Sequence, residues 1–162
     1  SFLNMDDDDW YGAYELLVMS AVWTIRASQP HLAESDAGTI TAITSRTVQE
    51  AAENLVLSNA VRRTVTGLVK TISREFAPEI RTNAVLPGAH ETSRIEELIE
   101  DSVERGEDES YEEGYEAKGA DVPVGRIGDP RELGDVVTFL SSARASFVNG
   151  VAIPIDGGAL RS

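Results

Sequence analysis

The sequence predicts an α/β fold built on a parallel sheet. Two observations carry this. Long stretches with helical apolar periodicity alternate with short β-branched runs bounded by glycine or proline, the pattern of strands joined by helical crossovers. The chain has 162 residues, 41% of them hydrophobic, enough for one domain, residues 1–162, with its own core.

The elements follow in order. The opening NMDDDDWYGAYELLV sets carboxylates just ahead of an apolar run, where they cap free N–H groups and meet the positive end of the helix dipole. A metal site in these aspartates lacks the alternating Asp-x-Asp-x-Asp-Gly spacing of a calcium loop. The first helix is expected over residues 10–30. Its apolar run LLVMSAVWTI is broken by Ser20 and Thr24 and is far shorter than the roughly 20 residues of a membrane span, so it reads as a buried helix.

GTITAITS reads as a glycine turn and a strand over residues 39–44, and a second long helix is expected over residues 48–76. EIRTNAVLPG reads as the next strand, ending in Pro87-Gly88. Residues 89–122 turn glutamate-rich and lose strand character. Two readings stand there side by side, a solvated helical excursion with a mobile tip and a lid over a site. GDPRELGDVVTFLSS is a well-punctuated helix, with Asp129 as N-cap, Pro130 at the first position and Glu132 closing a capping box. FVNGVAIPIDGG gives a last strand over residues 151–155, and Pro154, which has no N–H, places that strand at a sheet edge.

The net charge of −14, with no basic stripe to offset it, argues against a nucleic-acid partner. Lys70 and Lys118 are the only lysines. Acid-rich, lysine-poor composition is similar to that of cytoplasmic proteins from salt-loving microbes, and self-repulsion should weaken the fold in dilute buffer. No cysteine is present, which suits a reducing cytoplasm and leaves no thiolate metal site; zinc held by two distant histidines is not expected. No signal segment opens the chain, and its start at Ser1 is expected of a fragment or a processed product.

The stretches GTITAITS, TGLVKTISREFAPEIRTNAVLPG, VPVGRIGDPRELGDVVTFLSS and NGVAIPIDGG, in this order, resemble the C-terminal part of a short-chain dehydrogenase/reductase. The resemblance implies the last three strands and flanking helices of a doubly wound Rossmann sheet, NAD or NADP as cofactor, a small carbonyl substrate, and a homo-oligomer through the two long helices. The family's phosphate-binding glycines belong to its first strand–helix turn. No Gly-x-x-x-Gly-x-Gly occurs here, so roughly the first half of such a domain is expected to be missing, leaving the strand from Thr39 with an exposed edge.

Members of that family use a tyrosine as general acid, a lysine four residues later, a serine and an asparagine. A free phenol titrates near about 10, so a neighbouring cation is needed to bring it toward neutrality. By resemblance, Ser45 matches the active-site serine, while Ser58 stands at the tyrosine position, Arg62 at the lysine position and Leu17 at the asparagine position. Ser58 and Arg62 stand one helical turn apart and share a face. An aliphatic hydroxyl is a weaker acid than a phenol, and a guanidinium keeps its proton. Losing a positioned general acid costs about 10²–10⁴ in rate, which predicts weak or altered activity. The combination looks like a divergent branch similar to 3-oxoacyl-carrier-protein reductases. Pro87, Gly88, His90 and Thr92 fall where the family contacts the cofactor, with Arg62 at its ribose. Tyr111 and Tyr115 are either stand-in acids or packing tyrosines; His31 suits a helix C-terminus. A noncatalytic dinucleotide-binding or assembly module is the alternative reading.

Overall fold

A computed structural model describes residues 2–161. Helix α1, Asp7–Tyr14, starts where Asp6 caps it: the Asp6 carboxylate accepts the Asp9 N–H at 2.9 Å and Asp9 accepts the Asp6 N–H at 3.1 Å. A π-helical turn, Glu15–Met19, carries α1 into α2, Ser20–Ala33. The run is longer at both ends than residues 10–30. The aspartate cap starts it early, and Pro30 removes a donor only from the final turn, too late to break it. It is buried along one face only. Val18 and Ile25 are packed, whereas Leu16 is 71% and Trp23 50% exposed in the single chain.

Strand β1 is Gly38–Ile43, one residue earlier at each end than expected. Gly38 belongs to it because no larger residue fits: a Cβ there would lie 2.5 Å from the Leu32 carbonyl oxygen. Helix α3, Val56–Glu75, begins well after residue 48. In its place stand a 3₁₀ turn, Arg46–Val48, and a loop in which Asn54 adopts φ 59°, outside helical space. The Asn59 amide pins that loop, accepting from Ala52 N–H at 3.2 Å and donating to Ala52 C=O at 2.7 Å. A side chain that takes over backbone partners in this way holds the segment out of the helix.

Strand β2, Ile80–Pro87, is the middle of a parallel sheet of order β1-β2-β3, where β3 is Ala152–Ile155. Gly38 pairs with Ile80 and Ile43 with Val85; Ala84 pairs with Ala152 and Pro87 with Ile155. Pro154 therefore sits on an edge strand, as its missing N–H requires. Val151 falls outside β3 because its N–H goes to the Asn83 side chain. Asn83 and Asn149 stitch this end of the sheet: Asn83 also donates to Val148 C=O at 3.0 Å, and Asn149 bridges Thr82 N–H and Ser73 C=O, each at 2.8 Å. The outer edge of β1 has no strand partner among the described residues.

Successive residues of β2 face opposite layers. Ala84 packs under Val18, Val61, Val65 and Val69 of the long helices, and Val85 under Leu140 of α6, Pro130–Ser141. Residues 89–122 form two helices, α4, Ser93–Glu104, and α5, Tyr111–Ala120, over a small cluster of Ile95, Ile99 and Ile127. No helix among the described residues is long and apolar enough to cross a membrane.

The capping box of α6 is as the sequence reads it, Asp129 with Glu132. Arg131 beside Asp129 and Arg126 beside Glu132, at 2.6 Å, hold both carboxyls down to about 2. Folded values below the ordinary carboxylate range, about 4, stabilise the fold fully above that range; the contribution is lost as pH falls toward 2. Amide exchange should show the first turn of α6 losing protection between about pH 4 and pH 2, with Glu132→Gln already weakened at neutral pH. Unchanged protection over that interval contradicts the assignment.

Candidate active site

Parallel pairing delivers the ends of β1 and β2 to the same sheet edge, where open α/β sheets bind ligands. Just past β1, the Thr44 N–H and hydroxyl both donate to Val85 C=O, at 3.0 and 3.1 Å, which fixes where Ser45 begins. Ser45, in extended backbone, caps the Arg46–Val48 turn. Its Oγ accepts from Thr47 N–H at 3.2 Å and from Thr47 Oγ1 at 3.1 Å. Thr47 Oγ1 lies 3.4 Å from Ser58 Oγ on the first turns of α3. One turn further, Arg62 Nη1 donates to Thr44 C=O at 3.3 Å.

Ser45, Ser58 and Arg62 thus converge on the end of β1, and the hydroxyls of the first two are joined through Thr47. Thr47 is 4% exposed and escapes sequence reading. Its one signal is position, two residues after a serine, where a hydroxyl side chain caps a turn. Leu17 lines the cleft beside Arg62, together with Thr44 and Val65. Burial pushes the Arg62 guanidinium below its ordinary value, since nothing anionic offsets its desolvation.

A second group sits at the end of β2. Gly88 is required there, because a Cβ would lie 2.7 Å from the Asp156 Cβ, and its N–H donates to Ile155 C=O at 2.9 Å. His90 is buried, its Nδ1 3.3 Å from Gly88 C=O, and it forms a parallel bridge with Gly128. In that bridge Gly128 donates to Ala89 C=O and accepts from Glu91 N–H, so the His90 N–H is turned away from it with no protein acceptor among the described residues. Thr92 stands at the N-cap of α4, yet its hydroxyl donates to His90 C=O at 3.3 Å and caps nothing. No hydrogen bond among the described residues links this group to Ser45, Ser58 or Arg62.

The two tyrosines do not suit a general acid. Tyr115 donates to Glu91 at 2.5 Å, a bond that raises its pKa, and partial desolvation with surrounding glutamates raises that of Tyr111. Both phenols are weaker acids than a free one. His31 lies in the last turn of α2, as read from the sequence. No cluster of metal-ligating side chains occurs among the described residues.

A protein-family model described as enoyl-(acyl carrier protein) reductase matches residues 1–159. The 2-keto-3-deoxy-L-fuconate dehydrogenase of Xanthomonas campestris is 27% identical over 98% of this chain and 52% of its own. Among solved structures, the ligand-free aldohexose dehydrogenase of Thermoplasma acidophilum superposes with a TM-score of 0.92 at 27% identity, over 100% of this chain and 64% of its own. A Pseudomonas aeruginosa short-chain oxidoreductase, described as NADPH-bound and as containing an atypical catalytic center, does so with a TM-score of 0.86 at 26% identity, over 100% and 61%. The chain spans about half the length of the curated relatives it matches.

Thr47→Val keeps the shape of the side chain and removes the hydroxyl that joins Ser45 to Ser58. The expected cost is about 1 kcal/mol of stability, read in urea unfolding. A variant as stable as the parent would mean that the hydroxyl chain does not form.

Proposed function

The chain belongs to the short-chain dehydrogenase/reductase family, and on that premise we propose that it forms the nicotinamide- and substrate-facing part of an NAD(P)(H)-dependent oxidoreductase acting on a carbonyl/alcohol pair. The observation that carries this reading is the convergence of Ser45, Thr47, Ser58 and Arg62 at the end of β1. Hydroxyls in a hydrogen-bonded row beside a fixed cation can hold a carbonyl oxygen and stabilise negative charge on it.

The residues present fit one end of the cofactor. Arg62 has spare donors for ribose hydroxyls, and the His90 N–H is free for an amide carbonyl, with Gly88 keeping that turn thin and Pro87 and Thr92 bounding it. The pyrophosphate cradle is not among these residues. Bound nicotinamide would supply or accept a hydride. Ser45 then orients the substrate oxygen, Thr47 holds the Ser45 and Ser58 hydroxyls in line, and Arg62 offsets developing charge. Ser58 is a poor acid, so the row of hydroxyls relays a proton from solvent to the substrate oxygen slowly, and turnover is low or altered. The solved relative described as having an atypical catalytic center and bound NADPH supports cofactor binding beside a site that departs from the family's usual one.

The noncatalytic module is the second reading, and the commitment of the Tyr115 hydroxyl to Glu91 favours it. Helices α4 and α5 as a substrate lid, and a homo-oligomer using the exposed side of α2 with α3, belong to either reading.

NAD(P)H oxidation at molar salt, with a panel of carbonyl compounds that includes 3-oxoacyl thioesters, separates the two. The catalytic reading expects slow turnover, reduced about 10²-fold or more by Ser45→Ala. Cofactor binding without turnover on any carbonyl would favour the module. Arg62→Ala should weaken nucleotide binding in both cases, and unchanged affinity removes Arg62 from the site.

A further inference from the structure

Among the buried polar side chains of the described residues, His90 is the one that can carry a charge. The proposed function uses only its backbone N–H. A buried imidazole is costly unless its nitrogens are hydrogen-bonded, so the ring's place in the interior rests on the contacts it makes. Nδ1 lies 3.3 Å from Gly88 C=O, two residues back. A carbonyl oxygen only accepts, so Nδ1 is a protonated nitrogen and donates. The opposite edge of the ring rests on Gly128, where a Cβ would stand 2.9 Å from His90 Cδ2 and 3.1 Å from Nε2. The ring is wedged between the turn that follows β2 and the segment that leads into α6.

The turn is held on both sides of the ring. Gly88 N–H donates to Ile155 C=O at 2.9 Å, Gly128 N–H to Ala89 C=O at 3.0 Å and Glu91 N–H to Gly128 C=O at 2.9 Å, while the Thr92 hydroxyl donates to His90 C=O at 3.3 Å. Ala89 and Glu91 give their polar groups to Gly128, so the residue between them presents its N–H on the other side. None of these contacts involves β1 or its open edge; the brace is built from residues that this chain supplies. Gly88 is the weak point, because a residue without a Cβ has wide backbone freedom. Without the ring, its peptide is anchored by its N–H alone.

We propose that the His90 imidazole is a positioning residue: its Nδ1–H closes the Gly88 carbonyl and its far edge rests on Gly128, which holds the glycine turn in the conformation that presents the His90 N–H as a preformed donor. This deepens the proposed function and rests on it in one respect, that the carbonyl received there is the carboxamide of the nicotinamide. Leucine at this position has similar bulk and no donor, so it fills the space and leaves the Gly88 carbonyl unclosed. Asparagine is smaller, but its amide nitrogen occupies the place of Nδ1 and can donate as the ring does. A packing role and a positioning role therefore order the two variants oppositely.

The test uses the chain as it stands and follows backbone amide resonances. The probes are nicotinamide mononucleotide and ribose 5-phosphate, the same molecule without its base. The parent should bind the mononucleotide about tenfold more tightly than ribose 5-phosphate; His90→Leu should lose most of that preference and His90→Asn should keep most of it. In mildly alkaline buffer, nitrogen resonances of the imidazole should show the proton on Nδ1. An unchanged preference in His90→Leu, a greater loss in His90→Asn than in His90→Leu, or a proton on Nε2 with Nδ1 bare overturns the inference. If the parent binds neither probe, or both alike, the cofactor reading falls and amide exchange decides the brace by itself. Faster exchange of the Glu91 and Gly128 N–H groups in His90→Leu than in the parent and His90→Asn leaves the brace standing, and equal exchange in all three overturns it. If His90→Leu does not fold, as judged by its melting curve, Gly128→Ala takes its place, since the added methyl displaces the ring and should cost the same preference. Carbonyl turnover together with an unchanged preference in His90→Leu leaves the oxidoreductase reading standing without this one.

Discussion

Everything at the candidate site depends on the parallel pairing of β1 with β2. Six residues of each strand run in register, so both strands reach the same sheet edge, one running into Thr44-Ser45 and the other into Pro87-Gly88. A slip of one residue would turn Ala84 from the helical layer toward α6 and bury Val85 where Ala84 belongs. The two Thr44 hydrogen bonds to Val85 continue the pairing past the end of β1 and fix the position of Ser45 to within a hydrogen-bond length. Loop residues carry the chemistry, and the strand register sets where they stand.

On the proposed reading, in which Ser58 and Arg62 stand at the family's tyrosine and lysine positions, the residues at the site are mutually consistent in physical terms. A phenol at position 58 would need a nearby cation of adjustable pKa; a serine there has no use for one. Arginine supplies a charge that persists at all relevant pH values and a planar fork of donors. On the proposed reading, a proton-transfer site gives way to one suited to holding charge. The turnover expected of it is correspondingly low.

Much of the fold could be read from the residues. Asp129-Pro130-Arg131-Glu132 announces a helix start by local chemistry alone, and Pro154 places its strand at an edge because it has no N–H to give. The start of α3 could not be read in this way, since the segment before it has helical periodicity and is held out of the helix by the Asn59 amide, a contact made across the loop. The exposure of Leu16 and Trp23 was equally hidden, because apolar periodicity shows that a surface is to be covered and leaves open what covers it. At the site, the shared face of Ser58 and Arg62 followed from helical spacing. Thr47 did not, as it meets Ser58 only once β1 and α3 are packed together.

The central claim, that this chain holds the nicotinamide end of a dinucleotide, is tested most directly by titrating it with nicotinamide mononucleotide while following backbone amide resonances. This probe lacks the adenylate half, so it makes no demand on a pyrophosphate cradle. The account predicts saturable shifts at the His90 amide and around Ser45 and Thr47, all reduced in Arg62→Ala. Saturation that leaves these amides unmoved, or no response to nicotinamide mononucleotide beside clear binding of another ligand at the same edge, would contradict it.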